Sequence, residues 1–301
     1  MIAKLSAISY TILYFTILNT FKRGEQFNMA ISEKIELLGK GLYGGAIPDV
    51  LTLTNIPTAS ELDYVGSEDF EKTMLETILP KAIEEDIDCK MLLEIDFQWI
   101  CRCLRILNYG PYHTTNAILC TDCGKISHGE YIVNLETVEC KPLPPGFIND
   151  IVISKDEFID FNGDVHLKLP TMQKMINADK DKAFKFPNGD TNSELARICY
   201  MITSIKGKTA VTPLEIKLII QNEFSSADYI ILKNMVSQLS DYGLRAGGTT
   251  QCPKCGSTNA AFMAMPMDKF FRPTLGDLRE WKKRKGERAG EIVPSNAKAD
   301  V

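Results

Sequence analysis

The chain has 301 residues, 45% of them hydrophobic and 24% charged, enough to bury a substantial core and to form two folded units. That balance excludes wholesale disorder, collagen-like repeats and a multispanning membrane protein. With 39 acidic against 34 basic side chains the formal net charge is -5, so nucleic-acid contact would have to rest on a local basic patch.

The first feature in chain order is a charge-free stretch from Leu5 to Phe21, LSAISYTILYFTILNTF. It is short for a membrane span and diluted by Ser6, Ser9, Thr11, Thr16 and Asn19. Three readings stay open: an extension upstream of an alternative start at Met29, a packing strand or helix, or a membrane or export signal without a clean cleavage site. The rest of the chain reads as cytoplasmic. The glycine-rich run from Gly39 to Pro48 reads as a flexible lead-in, and Val50 to Leu53 as a short strand. Ser60, Asp63 and, better, Ser67-Glu-Asp-Phe70 are candidate helix caps. Phe70, Met74, Leu75, Ile78 and Leu79 recur at helical spacing until Pro80 ends or kinks the helix.

A second helix is expected after Asp88. Leu92, Ile95, Trp99, Cys103 and Ile106 form its stripe, Asp96, Arg102 and Arg105 are its polar exceptions, and Asn108-Tyr-Gly-Pro111 is its stop. Gly129 to Cys140 alternates as a strand, and Ile151 to Ile153 with Val165 to Leu169 suggest strands around Asn162-Gly163. Helical spacing then runs over Thr171 to Ala178, Ser193 to Ser204, Pro213 to Gln221 and Ser226 to Tyr242. Thr212 and Ser225 serve as caps for the last two, and Gly207 and Gly243 mark ends.

Nine cysteines and three histidines bear on the chemistry. Cys120-Thr-Asp-Cys123-Gly and Cys252-Pro-Lys-Cys255-Gly are the sharpest signal. A tetrahedral zinc ion takes four thiolates at about 2.3 Å. Two intervening residues let both sulfurs of a pair turn to one ion, and the following glycine permits the tight backbone beside it. Between Cys123 and Cys252 lie 128 residues, so the expected site is discontinuous: Cys120, Cys123, Cys252 and Cys255 holding one structural zinc per chain. Two intermolecular sites, or disulfide and redox chemistry, are the alternatives. Cys89, Cys101, Cys103 and Cys199 read as buried apolar groups. Cys140 is a possible substitute ligand, and His113 and His128 are hydrogen-bonding neighbours of the first pair. His166 has no acid partner nearby in sequence.

No catalytic constellation emerges. Gly41 to Gly45 lacks the lysine and hydroxyl of a phosphate loop, Ile205 to Ala210 lacks its glycines, and Glu84-Glu85-Asp86 reads as solvated helix surface. The basic stretch Arg279 to Arg288 reads as an exposed terminal helix docking Leu278 and Trp281 onto the zinc module. Phe262, Met263, Met265, Met267, Phe270 and Phe271 form a soft apolar surface for the core or for assembly.

The expected fold class is α+β: a helical N-terminal region, a small β unit and a helical insertion, closed by a discontinuous four-cysteine zinc module. The expected partition is a hydrophobic and glycine-rich extension over 1–45, a helical packing region over 46–112, a zinc module with C-terminal helix over 113–140 and 249–290, an insertion over 141–248, and a flexible tail over 291–301.

Ile56-Pro-Thr-Ala-Ser-Glu-Leu-Asp-Tyr-Val65, the helix with DFQWICRCLRILNYG from Asp96 to Gly110, the cysteine knuckle from Cys120 and, more weakly, Phe161 to Met172 resemble the contractile-tail phage baseplate hub family, the group of the T4-type hub assembly subunit. The likeness spans roughly Ile56 to Phe271. It implies a non-enzymatic virion or assembly protein that binds other baseplate hub and tail proteins in an oligomeric assembly. It further implies folding in the bacterial host cytoplasm; the chain's overall acidity argues against nucleic acid as a partner, and neither a small-molecule substrate nor a membrane is expected. The competing expectation is a zinc-ribbon nucleic-acid-binding protein of replication or transcription, suggested by Lys125, Lys254 and the 279–288 stretch.

Overall fold

A computed structural model of the protein describes residues 32–56, 69–120, 122–138, 140–244, 251–257, 260–262 and 275–290. The N-terminal apolar stretch, the caps proposed at Ser60 and Asp63, Met263 to Phe271 and the C-terminal tail lie outside them. Helices and small antiparallel sheets make the architecture α+β. Among the described residues no helix is long and apolar enough to cross a membrane.

Strands β1 (Ser32–Glu36) and β2 (Val50–Thr54) pair antiparallel. The glycine-rich run between them forms no helix or strand, as expected, but it is not a loose lead-in: Ile47 is buried, and the Gly39 amide, the Leu38 amide just before it and the Tyr43 hydroxyl are fixed by Asp96. Helix α1 follows in three segments, Phe70–Thr73, a π-helical turn Met74–Ile78, and Leu79–Ala82. Asp69 caps it by accepting from the Lys72 amide. Pro80 therefore does not end the helix; the wide turn just before it makes room for a ring that would press on the carbonyl four residues back. Glu85 is no solvated helix residue either. It lies beyond α1, and its carboxylate accepts from the Thr52 amide and hydroxyl.

Helix α2 (Glu94–Tyr109) organises the molecule. Phe97, Ile100, Cys101 and Leu104 enter a core with Leu51, Leu53 and α1, while Ile95 enters a second core. Its three polar exceptions each tie down a different segment. Asp96 accepts from the Leu38 and Gly39 amides and from Tyr43 Oη at 2.5 Å. Arg102 donates to the Leu135 and Glu136 carbonyls, and Arg105 to those of Gly110 and Tyr112. Buried polar groups cost little only when satisfied in this way. Gly110, at φ 78°, ends the helix.

Strands β3 (Tyr112–Cys120) and β4 (Ile126–Asn134) form a bulged hairpin. The strand expected to run to Cys140 stops at Asn134, whose side chain accepts from the Glu136 amide and starts a 3-10 turn, Leu135–Thr137. Strand β5 (Cys140–Lys141) pairs with β9 (Gly243–Leu244), bringing together the two ends of the segment between them. Within that segment β6 (Ile151–Ile153), β7 (Val165–Leu167) and β8 (Ile202–Ile205) make one sheet. Helices α3 (Met172–Lys180), α4 (Ser193–Met201), α5 (Pro213–Glu223) and α6 (Ser226–Ser240) pack with that sheet in the second core. The helix expected to reach Ser204 yields at Ile202 to β8, because the β-branched Ile-Thr-Ser-Ile run suits a sheet position beside β7. Thr212 with Glu215, and Ser225 with Asp228, form complete capping boxes. Asp228 also accepts from the amides of Ile159, Asp160 and Phe161, fastening their loop to α6. His166 in β7 does have an acid partner, Asp150 at 3.4 Å.

Candidate metal centre

Strand β3 carries the site at one end. Cys120 is its last residue, and the chain turns at once: the Gly124 amide donates to the Cys120 carbonyl and the Cys120 amide to Lys125. The second turn repeats this pattern, Gly256 to Cys252 and Cys252 to Ser257. Gly124 and Gly256 take positive φ, 64° and 75°, which only glycine adopts without strain. Two such turns present their sulfurs on the same side. Strand β10 (Ala260–Phe262) then pairs with β3, Ala260 opposite Cys120. Lys254 Nζ donates to the Ile126 carbonyl at 3.0 Å, and Ser257 bonds Asp122. The sequence-distant turns are thus laced together by backbone pairing and two side-chain ties.

The sulfurs of Cys120, Cys123, Cys252 and Cys255 all lie within 4.8 Å of one another and could hold a metal ion. Cys120 and Cys252 are buried, Cys123 is half-buried and Cys255 exposed. Cys120 Sγ is 3.6 Å from Cys255 Sγ, and Cys123 Sγ is 3.9 Å from Cys252 Sγ. A tetrahedron of sulfurs about 2.3 Å from a central ion has edges of about 3.8 Å, so the spacing fits one ion. The protonation pattern fits it too. The Lys254 amide, helped by that of Cys255, draws the Cys252 thiol down to about 7. At Cys255 the Ser257 amide pulls the same way, but the neighbouring sulfurs prevail and push it up to about 12. Several sulfurs so close resist sharing negative charge until a cation joins them.

The other sequence candidates fall elsewhere. Cys140 in β5 is outside the cluster. Cys89, Cys101, Cys103 and Cys199 are buried, and burial pushes each thiol up. His128 opposes Ala117 in the hairpin. His113 sits at the far end of β3, buried; burial above all, and the Arg105 charge, push it down to about 4 while Asp277 opposes them.

Asp277 was not among the candidate residues of the sequence. Helix α7 (Leu275–Gly290) is strongly basic, yet Asp277 is fully buried, accepting from Thr114 Oγ1 at 2.5 Å and lying 3.8 Å from Arg105. Trp281, four residues on, packs its indole over Gly110, where a Cβ would meet the ring at 2.5 Å. The terminal helix therefore reaches the expected module through Thr114 of β3, while Trp281 seats on Gly110 at the end of α2, outside it. The usable signal was spacing: the helix's first acid and its tryptophan lie one turn apart on one face.

No protein-family model, curated protein or solved structure matches the chain.

Proposed function

We propose that the four thiolates hold one structural zinc ion, and that the protein is a zinc-stabilised structural or assembly subunit of the central baseplate hub of a contractile phage tail. One observation carries the first part: four sulfurs from turns 128 residues apart lie within 4.8 Å of one another. Such a donor set favours zinc and leaves no coordination position open, so the bound ion would contribute folding free energy rather than an activated water. The chain's own residues do the positioning. Gly124 and Gly256 shape the turns, and Lys254 and the Ser257–Asp122 pair hold them face to face.

The hub assignment is supported by the resemblance of Asp96 to Gly110 and of the Cys120 knuckle to that family. The helix carrying this stretch is also the one on which both cores and α7 assemble. Exposed apolar side chains at Ile148, Ile159, Phe186, Leu214, Leu218 and Ile230 supply surface of the kind that assembly interfaces bury. A second reading, a zinc-ribbon nucleic-acid-binding protein, draws on the exposed Arg279, Lys282 and Lys283 of α7. Native mass spectrometry of the chain recovered from phage-infected bacteria separates them. Stoichiometric tail proteins support the hub reading; bound nucleic acid lost steeply with salt supports the second. The chain alone, under conditions that preserve tail assemblies, would contradict the hub reading.

A further inference from the structure

Two of the short sulfur contacts cross from one cysteine turn to the other, beside a contact of Cys252 with Cys255 within the second turn. Cys120 meets Cys255 at 3.6 Å, and Cys123 meets Cys252 at 3.9 Å, so the two contacts together use all four sulfurs. Each pair joins one accessible thiol to one buried thiol: Cys255 is exposed with Cys120 buried, and Cys123 half-buried with Cys252 buried. That is the arrangement in which an oxidant reaches the first sulfur and the second resolves the product. An S–S bond is about 2.05 Å long, so each pair must close by less than about 2 Å.

The geometry points to an oxidative modification site: a peroxide-class oxidant replaces the metal-bound cluster by two disulfides, Cys120–Cys255 and Cys123–Cys252, so that the staple outlives its metal. This rests on the metal reading above. For each bridge, the accessible thiolate attacks one oxygen of hydrogen peroxide. The O–O bond breaks, a sulfenic acid forms, and the departing hydroxide takes a proton to become water. The buried partner thiolate, released from the metal, then attacks the sulfenic sulfur, the S–S bond forms, the S–O bond breaks, and the departing hydroxide takes a proton from solvent to leave as a second water. Two electrons pass from the sulfurs to one peroxide, two peroxides complete both bridges, and the metal departs as a dication.

The pairing decides the consequence. Bridges within each turn, Cys120–Cys123 and Cys252–Cys255, would consume the same oxidant but leave the two turns unlinked. Bridges between turns keep the long intervening connection closed and restrict the unfolded chain. Of the remaining cysteines, Cys89, Cys101, Cys103 and Cys199 are buried, and Cys140, half-buried like Cys123, lies outside the four-sulfur cluster.

The test uses the full chain, metal-loaded, treated with hydrogen peroxide while a chromogenic chelator follows metal release. Remaining thiols are alkylated, and the unreduced protein is cut with trypsin and Asp-N. Lys254 separates Cys252 from Cys255, and Asp122 separates Cys120 from Cys123, so the four cysteines fall in four different peptides. The expected products are the 120–255 and 123–252 linked pairs. The oxidised, metal-free chain should also resist limited proteolysis about tenfold better than the reduced, metal-free chain. Within-turn bridges, bridges between molecules, or sulfinic acids without bridges as the main product would overturn the proposal. A chain that carries no metal when purified would defeat the metal reading separately, and the same digestion of that chain would still decide the pairing.

Discussion

Arg105 and Asp277 meet inside the protein, Nη2 to Oδ2 at 3.8 Å, with neither side chain exposed. One belongs to the central helix and the other to the terminal helix, and Thr114 completes the contact from β3. Taking one partner from a buried ion pair leaves the other charge buried and uncompensated. Asp277→Ala is expected to cost about 3 kcal/mol in urea denaturation. Arg279→Ala, on the exposed side of the same helix, should change stability by less than about 0.5 kcal/mol. An Asp277 variant with the wild-type midpoint would show that this pair does not hold the helix.

Gly110 is required twice over, by its φ of 78° and by the indole of Trp281 pressed against its Cα. Gly110→Ala should lose about 1 kcal/mol from the backbone alone, and more because the ring must move. In a chain carrying Trp99→Phe, the remaining Trp281 emission should shift to the red as the indole leaves its seat. Adding Trp281→Ala should abolish the steric part and leave only the backbone part. Full additivity of the two changes would mean that they do not touch in solution.

Asp96 holds the chain between β1 and β2 through two amides and the Tyr43 hydroxyl. Asp96→Ala strands those donors in a buried setting, at a cost of about 2–4 kcal/mol. Hydrogen exchange should accelerate at Leu38 and Gly39 well before the second core responds. Unchanged protection there would contradict the tie.

How far the sequence carried depended on whether each signal was local. Period and caps are local, so α2, α5 and α6 and the capping residues Thr212 and Ser225 were legible, as were the four cysteines; at α1 the cap proved to be Asp69, which the Ser67-Glu-Asp-Phe70 stretch had placed inside the first turn. The end of α4 was not, because whether Ile202 to Ile205 continues a helix or joins a sheet is settled by β7, whose pairing no local pattern reports. The roles of Asp96, Arg105 and Asp277 were illegible for the same reason. Asp96 and Arg105 looked like polar interruptions, Asp277 did not stand out at all, and the partner of each lay in another segment. Gly110 read as a helix stop, which it is, but its contact with Trp281 depends on the fold.

His113 predicts a pH response. Its buried ring is held down at about 4, against about 6.5 in an unfolded chain. Between those values the unfolded state binds the proton and the folded state does not, so stability falls as pH drops through that window. It is fully present above about 6.5, and the loss approaches roughly 3 kcal/mol near pH 4. His113→Leu should flatten the thermal-unfolding profile there relative to the unsubstituted chain, with acid release of any metal common to both. Parallel profiles would contradict the assignment.

The central claim is that a metal ion fastens the two cysteine turns across the long connection between them. Elemental mass spectrometry of the purified chain, paired with thermal unfolding before and after a strong chelator, tests it most directly. The account predicts one zinc per chain, its loss in Cys120→Ser and Cys252→Ser, and a lower unfolding temperature once it is removed. A chain free of metal that unfolds at the same temperature with and without chelator would contradict it.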